Sequence, residues 1–361
     1  MVGPSRFGLG EPYAGGLEAH TATLARQLHR SGHDVTVFAG PLNAPHQLPV
    51  PVNAITARCP IDVDRLDTSN PPWFARHEDE SYSRIADILV ESNRFDVVHN
   101  NSLHRRIVEL DDPAVPIMHV LHCPPFDVLE EAHRKLSRHR ADRTVVAVSD
   151  SLAGAWADAA TNVVRNGVDL DRWRPRTTQQ TRRKRLCVWV GRIIEDKGPH
   201  HAIDAALLAG HRIALAGPVH DRAYFESAIA PRLATGRARW FGPLDTAALR
   251  CLYDAAAVGV ITPMWDEPFG LVAAEMLACG LPIVAFDNGA IGEFTDPSVA
   301  VLVEPGNDDA LAAAIRRAGH FERSTCREWA IENLSMSTMT ASYVELYRSA
   351  IRRRRIVDAV D

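Results

Sequence analysis

Residues 264–285, MWDEPFGLVAAEMLACGLPIVA, contain the pattern that decides the fold. Pro268 suits the first turn of a helix, and from Phe269 to Ala278 every residue except Glu275 is apolar or glycine. The run LPIVAF that follows is typical of a buried parallel strand. The stretch therefore predicts a buried helix that leads into a buried strand. A single carboxylate on such a helix is either exposed on a thin polar edge or buried with a partner.

The amino end of this predicted helix is a candidate anion site. A helix N-terminus offers free N–H groups and the positive end of the helix dipole, which suit phosphate or developing negative charge. Glu267 stands just before the helix, eight residues before Glu275. A site that combines the helix N-terminus with these two carboxylates is therefore predicted in this part of the chain.

The same alternation of strand and helix patterns extends on both sides of this stretch. Short apolar runs predict strands, and the segments between them, beginning with residues 16–30, predict helices. The predicted strands are 33–39, 95–99, 115–121, 143–149 and 162–169 in the first half, and 185–191, 212–217, 237–242, 257–263, 281–286 and 300–305 in the second. Continuous β-branched runs separated by helices favour parallel sheets covered on both faces, so the fold class is predicted as α/β.

One segment, residues 170–185, interrupts the alternation because it is polar, arginine-rich and without an apolar period. We interpret it as the linker between two doubly wound, Rossmann-like domains, residues 1–169 and residues 186–335. The remaining residues, 336–361, are predicted to form a helix that packs back toward the N-terminal domain. Two such domains predict a central cleft, with ligands at the carboxyl ends of the strands.

The composition is that of an ordinary soluble enzyme of about two domains. The 361 residues include 40 basic and 45 acidic side chains, and a net charge of −5 gives no general case for nucleic acid binding. Neither a secretory signal nor a membrane-spanning stretch is evident, which predicts a cytoplasmic protein. Only two residues precede Gly3, so either the first strand is very short or the natural start lies upstream.

Several catalytic signatures are absent from the sequence, namely G-x-G-x-x-G, G-x-x-x-x-G-K-[ST], G-x-S-x-G and H-E-x-x-H. Their absence disfavours dinucleotide oxidoreductases, P-loop nucleotide hydrolases, α/β-hydrolases and zincins. The six scattered cysteines form no C-x-x-C pair, so neither zinc nor redox chemistry is predicted. Two D-x-D strings, residues 62–64 and 169–171, could hold a divalent metal, but carboxylates favour surface loops in any case. We therefore predict no metal site.

The stretch EPFGLVAAE, residues 267–275, resembles the E-x7-E signature of family 4 of the glycosyltransferases. Other matches to the family are Gly15-Gly16-Leu17-Glu18 before the first helix, Ser149, Asn166-Gly167-Val168-Asp169, and GRIIEDKG at 191–198. Each match alone is weak, but together they are specific and cover most of the chain. The resemblance implies a GT-B fold of two Rossmann-like domains. It also implies sugar transfer from a UDP- or GDP-sugar with retention of configuration, without a metal or other cofactor.

The resemblance implies a role for each matching residue. The implied donor-binding residues are Gly16, Arg192, Lys197, Leu244, Phe269, Gly270, Leu271 and Glu275. In the family pattern Glu275 would hold the ribose hydroxyls. Backbone N–H groups of residues 269–271 would bind the sugar or the distal phosphate. The base would lie near Leu244. The implied catalytic residues are Glu267, on the transferred sugar, and His122, which ends a predicted strand and would face that sugar.

The charges in these matches fit a nucleotide diphosphate, whose roughly two negative charges must be offset as it departs. Arg192 can hold phosphate oxygens in a fork, and Lys197 adds a point charge. Lys197 is one of only three lysines among 40 basic residues, which favours a specific role over a structural ion pair. Gly16 has no side chain, so its backbone can approach a diphosphate closely.

The sequence leaves the sugar, the base and the acceptor open. A carbohydrate, a lipid or a small molecule fits the acceptor role equally, and residues 41–80 are a candidate acceptor region. The basic stretch His133 to Arg143 allows peripheral contact with the inner face of a membrane, although a solvated helix face explains it as well. Alternative functions are a glycoside phosphorylase, a nucleotide-sugar epimerase, or a catalytically inactive nucleotide-sugar-binding protein.

Overall fold

The computed structural model describes residues 1–40, 48–54, 72–91, 94–110, 115–139, 143–157, 159–176 and 185–358. Every strand pair in these ranges is parallel and helices alternate with the strands, so the predicted α/β class is confirmed. The described residues divide into two units. The first comprises the chain up to Asn166 together with the residues from Ser337 onward, and the second comprises Gly167–Met336.

The first unit has two parallel sheets. Its strands are β1 (Val37–Ala39), β2 (Val52–Ala54), β3 (Val98–Asn100), β4 (Ile117–Leu121), β5 (Thr144–Ala147) and β6 (Asn162–Val163). Strands β1 and β2 form a pair, and the other four form a sheet in the order β3-β4-β5-β6. Val2 forms isolated parallel bridges to Phe38 of β1 and to Asn100 of β3.

Helices cover the sheets of the first unit. They are α1 (Gly16–Arg30), α2 (Pro72–Glu91), α3 (Arg105–Val108), α4 (Asp127–His139) and α5 (Asp150–Ala155), together with α13 (Met336–Asp358) from the end of the chain. Helix α13 packs on the first unit through the buried residues Tyr343 and Tyr347, and Arg353 donates a hydrogen bond to Thr144 Oγ1 at 2.6 Å. No helix among the described residues is both long and apolar enough to cross a membrane.

The second unit is one six-stranded parallel sheet with helices. Its strands are β7 (Leu186–Val190), β8 (Arg212–Ala216), β9 (Ala238–Trp240), β10 (Val258–Ile261), β11 (Ile283–Phe286) and β12 (Ala300–Val303), in the order β12-β11-β10-β7-β8-β9. The helices are α6 (Pro199–Leu208), α7 (Arg222–Tyr224), α8 (Ala230–Leu233), α9 (Thr246–Ala255), α10 (Leu271–Ala278), α11 (Asp308–Ala318) and α12 (Arg323–Asn333). The strand order reverses between β7 and β10, and ligands of such sheets bind at the carboxyl ends of strands beside this point.

The predicted buried helix is α10, but it begins later than the sequence indicated. Pro268 was expected in its first turn, whereas the helix begins at Leu271. The reason is Gly270, whose φ of 92° is left-handed and therefore cannot belong to a right-handed helical turn. Glu275 is half-buried, while most of the α10 side chains are fully buried.

The predicted linker differs from the structure in its first part. Residues 170–176 belong to the second unit, because Trp173 is buried and stacks with Tyr253 at 5.8 Å between ring centroids. Arg172 also donates to Thr246 Oγ1 at 3.2 Å. A segment rich in arginine therefore packs through its single tryptophan. Residues 177–184 lie outside the described residues, as do most of residues 41–71 in the candidate acceptor region.

Candidate active site

Two chain segments meet at the point where the strand order of the second unit reverses. One follows β7 and runs to Gly198, and the other follows β10 and begins at Thr262. The Thr262 hydroxyl donates to the Gly198 carbonyl at 2.8 Å and accepts the Trp189 indole N–H at 3.1 Å. The backbone N–H of Met264 donates to the Asp196 carbonyl at 2.7 Å. These bonds hold the two segments side by side.

Glycine at position 198 is required for this close approach. Its φ is 58°, and a Cβ atom there would lie 2.3 Å from the carbonyl oxygen of Thr262. No other residue fits without displacing one of the two segments. Gly198 therefore fixes Lys197, its neighbour, beside the segment that carries Glu267.

Lys197, Glu267 and Trp265 form one cluster. Lys197 Nζ lies 2.5 Å from Glu267 Oε2, and the Trp265 indole N–H donates to the same oxygen at 3.1 Å. The ammonium also lies 4.6 Å from the centroid of the Trp265 ring, in cation–π contact. The side chains of Lys197 and Glu267 are 21% and 16% exposed. The structure thus brings together two of the predicted site residues, and the cluster remains accessible to a ligand.

Trp265 is a member of this cluster that the sequence analysis did not identify. It stands in the quoted stretch two residues before Glu267, and an aromatic residue there gave no signal of its role. Both of its contacts depend on the tertiary approach of Lys197. Lys197 and Trp265 both contact Oε2 of Glu267. The other carboxylate oxygen, Oε1, has no hydrogen bond to any described residue.

Arg192 lies in the same segment as Lys197 and is half-buried. Its guanidinium makes no hydrogen bond or ion pair with any residue in the described part of the chain. A half-buried guanidinium without a counter-charge is suited to hold an anion through its fork of N–H groups.

No side chain of the described residues caps the N-terminus of α10. Gly270 is its capping residue and offers no side-chain hydrogen bond, and the N–H groups of Leu271 and Val272 have no acceptor among the described residues. Phe269 is buried and stacks on Phe294 at 4.7 Å between ring centroids, which anchors the start of the helix. This end of α10 therefore keeps its unpaired donors and its positive dipole.

Two further predicted donor-binding residues of this unit are Glu275 and Leu244. Glu275 lies in the second turn of α10, and its charge adds to burial in raising the pKa of Tyr253 well above its usual range. Leu244 is half-buried between β9 and α9, where Gly217 N–H donates to the Gly242 carbonyl at 2.8 Å. Both therefore stay predictions that rest on the resemblance.

The predicted residues of the first unit lie at the start of α1 and after β4. Gly16 is the exposed first residue of α1, and the capping residue Gly15 again offers no side-chain hydrogen bond. His122 follows β4, and its ring lies 4.8 Å from that of His20 in α1, at an angle of 61°. The contact between these two imidazoles brings the first turns of α1 close to the end of β4.

Both imidazoles are neutral at pH 7. Burial lowers the pKa of His20 to about 4. Burial is also the main reason that the pKa of His122 lies well below its usual range, and the neighbouring His20 and His99 lower it further. His122 is therefore suited to hydrogen bonding with a neutral hydroxyl and is not a source of positive charge.

His20 makes the fold sensitive to acid. Its side chain is 3% exposed and its pKa is about 4 in the folded protein, against about 6.5 when unfolded. Between these values the unfolded chain binds one proton more, so stability falls as the pH falls. We expect His20 to contribute about 1.5 kcal/mol to the loss of unfolding free energy from pH 6.5 to pH 5.

Urea unfolding of wild type and His20→Gln at the two pH values measures this contribution. The variant should show a weaker pH dependence, whereas His29→Gln, an exposed histidine of the same helix, should behave as wild type. Equal pH dependence in all three proteins would contradict the expectation.

The chain resembles known glycosyltransferases in both fold and sequence. The fold matches that of Anabaena Alr3699/HepE, solved in complex with UDP and glucose, with a TM-score of 0.73 at 19% identity over 96% of this chain and 98% of that one. This is the GT-B fold of glycosyltransferases. Residues 14–172 match the family Glycosyltransferase Family 4, and residues 171–332 match Glycosyl transferases group 1. The chain belongs to family 4 of the glycosyltransferases.

Two curated relatives illustrate the range of this family. The chain is 27% identical to a D-inositol 3-phosphate glycosyltransferase of Mycolicibacterium paratuberculosis over 94% of its length and 86% of the relative. It is 29% identical to a glycogen synthase of Mycobacterium tuberculosis (strain ATCC 25618 / H37Rv) over 55% of its length. This chain therefore spans about half, 50%, of the length of that glycogen synthase.

Proposed function

We propose that this protein transfers a sugar from a nucleotide diphosphate sugar to an acceptor, with retention of configuration and without a metal. The observation that carries the proposal is the cluster of Lys197, Glu267 and Trp265. It lies in the same chain segments as Arg192 and the N-terminus of α10, which have no counter-charge and no side-chain cap among the described residues. Two cations and a helix N-terminus can offset the charge that develops on a departing diphosphate.

The cluster also assigns a role to Glu267 in the proposal. Its Oε2 is held by Lys197 and Trp265, while Oε1 is available to accept a hydrogen bond from a hydroxyl of the transferred sugar. In the proposal Oε2 is occupied by Lys197 and Trp265 and Oε1 by a sugar hydroxyl, so neither oxygen of Glu267 is placed to attack the anomeric carbon. Retention through a covalent glycosyl-enzyme would require a free carboxylate at the anomeric carbon.

We therefore propose front-face attack. The bond from the anomeric carbon to the diphosphate oxygen breaks, and the acceptor oxygen bonds to that carbon on the same face. The acceptor proton passes to the departing diphosphate, so charge and atoms balance. His122 would orient the sugar ring through a hydroxyl, and Glu275 would hold the ribose.

The relatives support this class of reaction and leave the acceptor open. One solved neighbour contains UDP and glucose, and the curated relatives are named for transfer to an inositol phosphate and for glycogen synthesis. A glycoside phosphorylase remains the second candidate within the fold. It would attack with inorganic phosphate, so turnover that requires phosphate would favour it.

A thermal-shift screen of UDP- and GDP-sugars tests donor binding directly. A donor at 100 times its dissociation constant should raise the unfolding free energy by about 2.7 kcal/mol. The same donor should hardly change the melting temperature of an Arg192→Met variant. A complete screen without any stabilising nucleotide sugar would contradict the proposal.

Glu275 is expected to matter for donor affinity more than for the fold. Glu275→Gln keeps the size of the side chain but removes the charge that strengthens hydrogen bonds from two ribose hydroxyls, each worth about 1.5–3 kcal/mol. The dissociation constant of the donor should rise at least tenfold. Titration calorimetry and thermal melts of this variant measure both properties.

Glu332→Gln, an exposed carboxylate of α12, is the control for this substitution and should bind the donor as wild type does. A large loss of stability in Glu275→Gln with unchanged donor affinity would show that Glu275 serves only the structure.

Activity is expected to survive EDTA. Within the described ranges no group of three or more histidine, cysteine, aspartate and glutamate side chains could hold a metal ion. In the second D-x-D string, Asp169 Oδ1 accepts the backbone N–H groups of Asp171 and Arg172 at 3.1 Å each, which forms a turn. The first string, residues 62–64, lies outside the described residues. Activity that EDTA abolishes and manganese or magnesium restores would overturn the expectation.

A further inference from the structure

Four side chains of the first unit are hydrogen-bonded in series, from α13 to His122. The Tyr347 hydroxyl lies 2.8 Å from His99 Nδ1. His99 Nε2 and His122 Nε2 lie 2.9 Å and 2.7 Å from the same atom, Asn101 Oδ1. Asn101 is fully buried and His99 almost so. A hydrogen-bonded path thus runs from the C-terminal helix to the predicted active-site histidine.

The orientation assigned to the Asn101 amide, with its oxygen toward both rings, sets which nitrogen of each ring carries the proton. An amide oxygen only accepts hydrogen bonds, so both imidazoles donate to Asn101 Oδ1 from Nε2. The other amide atom, Asn101 Nδ2, donates to Thr21 Oγ1 at 3.3 Å. Burial keeps the pKa of His99 well below its usual range, so His99 is neutral and accepts the Tyr347 hydroxyl at Nδ1.

The neutral His122 ring then has its lone pair on Nδ1. That atom makes no hydrogen bond with any residue of the described part. The ring is also held on its edge by His20, whose two nitrogens have no partner among the described residues and which therefore packs as an apolar group. His122 is consequently oriented on two sides and open at Nδ1.

We propose that Asn101 is a positioning residue, supported by His99 and Tyr347, which holds His122 in the Nε2–H tautomer so that Nδ1 accepts a hydrogen bond from a hydroxyl of the transferred sugar. The role of the sugar hydroxyl rests on the proposed function, whereas the tautomer does not. A residue that fixes the tautomer and orientation of another side chain acts on the rate without touching the substrate.

The chain offers a matched pair of substitutions for the far end of the path. Tyr347→Phe removes the hydroxyl that bonds His99. Tyr343→Phe removes a hydroxyl of the same helix that is buried without a hydrogen-bond partner in the described part. Both tyrosines pack edge-on against the His99 ring. The distance between ring centroids is 5.9 Å for Tyr347 and 5.0 Å for Tyr343. The two variants therefore differ in the hydrogen bond and little in packing.

The experiment combines kinetics with NMR of imidazole nitrogens in the resting enzyme, with the His122 signals assigned by their loss in His122→Gln. Wild type should carry the proton on Nε2 of His122, and Asn101→Leu should show a mixture of tautomers. We expect Asn101→Leu to reduce kcat about 10- to 100-fold with donor KM changed less than threefold. Tyr347→Phe should reduce kcat by a smaller factor, about threefold or more, and Tyr343→Phe should match wild type.

Asn101→Asp keeps a side-chain oxygen that accepts hydrogen bonds, and it provides a second test in case Asn101→Leu does not fold. It should retain the Nε2–H tautomer, and its added charge should raise the pKa of His122, which a pH profile of kcat detects. A wild-type spectrum with the proton on Nδ1 of His122 would overturn the proposal, as would equal effects of Tyr347→Phe and Tyr343→Phe. If the protein turns over no nucleotide sugar, the proposed function fails, while the spectra still decide whether Asn101 sets the tautomer.

Discussion

Replacing Lys197 with methionine is expected to reduce kcat/KM for the donor by about 30- to 900-fold, which corresponds to 2–4 kcal/mol of lost electrostatic stabilisation. Methionine keeps an unbranched stem against the Trp265 ring and removes only the ammonium. The loss should be large because the Lys197 side chain is only 21% exposed, so water does not replace its charge fully. The loss should appear as a lower kcat, because charge develops on the diphosphate as it departs.

Lys135→Met is the control, because Lys135 also makes ion pairs with carboxylates but lies on the surface of α4. It should keep wild-type kinetics. Arg192→Met should lose activity in the same range as Lys197→Met, and steady-state kinetics of the three variants measure the comparison. Wild-type turnover in both Lys197→Met and Arg192→Met would show that the diphosphate does not bind at these cations.

His122→Ala is expected to slow the chemical step about 100-fold, the scale of a misplaced reacting group, with little change in donor affinity. The proposal gives His122 an orienting role, so its removal should leave no trapped intermediate. Mass spectrometry during turnover should detect no covalent sugar on wild type or on the variant. Single-turnover kinetics measure the chemical step separately from donor binding.

His119→Gln is the control for this substitution. His119 lies on β4 with its Nδ1 3.0 Å from Asn100 Nδ2, and the glutamine amide can replace that contact. This variant should keep its activity and melting temperature. A glycosyl adduct on any side chain of either protein would contradict front-face attack.

The fold was largely predictable because its signals are local. Helix α1 has the predicted bounds, since Gly15 and Gly16 precede an apolar period that ends at two basic residues. Each of the eleven predicted strand regions overlaps an observed strand whose paired part is shorter than predicted, and β2 (Val52–Ala54) was not predicted. The start of α10 was misplaced, since the left-handed backbone of Gly270 is a consequence of its surroundings and leaves no pattern in the sequence.

The candidate site was predictable only in part. The resemblance identified Lys197 and Glu267, and the structure shows that their side chains meet. It did not identify Trp265 or Asn101, because their roles depend on partners distant in the chain. Asn101, for example, bonds to His122 and to Thr21, 80 residues away. Such contacts between side chains follow from the packing of the sheet and cannot be read from local spacing.

Retaining transfer from a nucleotide diphosphate sugar can be tested without knowledge of the acceptor. The donor that stabilises the protein best is incubated with the enzyme, and proton NMR follows the sugar that is first released by slow hydrolysis. We expect this sugar to have the anomeric configuration of the donor before mutarotation, and we expect Lys197→Met to suppress its release. Release of the opposite anomer, or release that does not depend on Lys197, would contradict retaining transfer at this site.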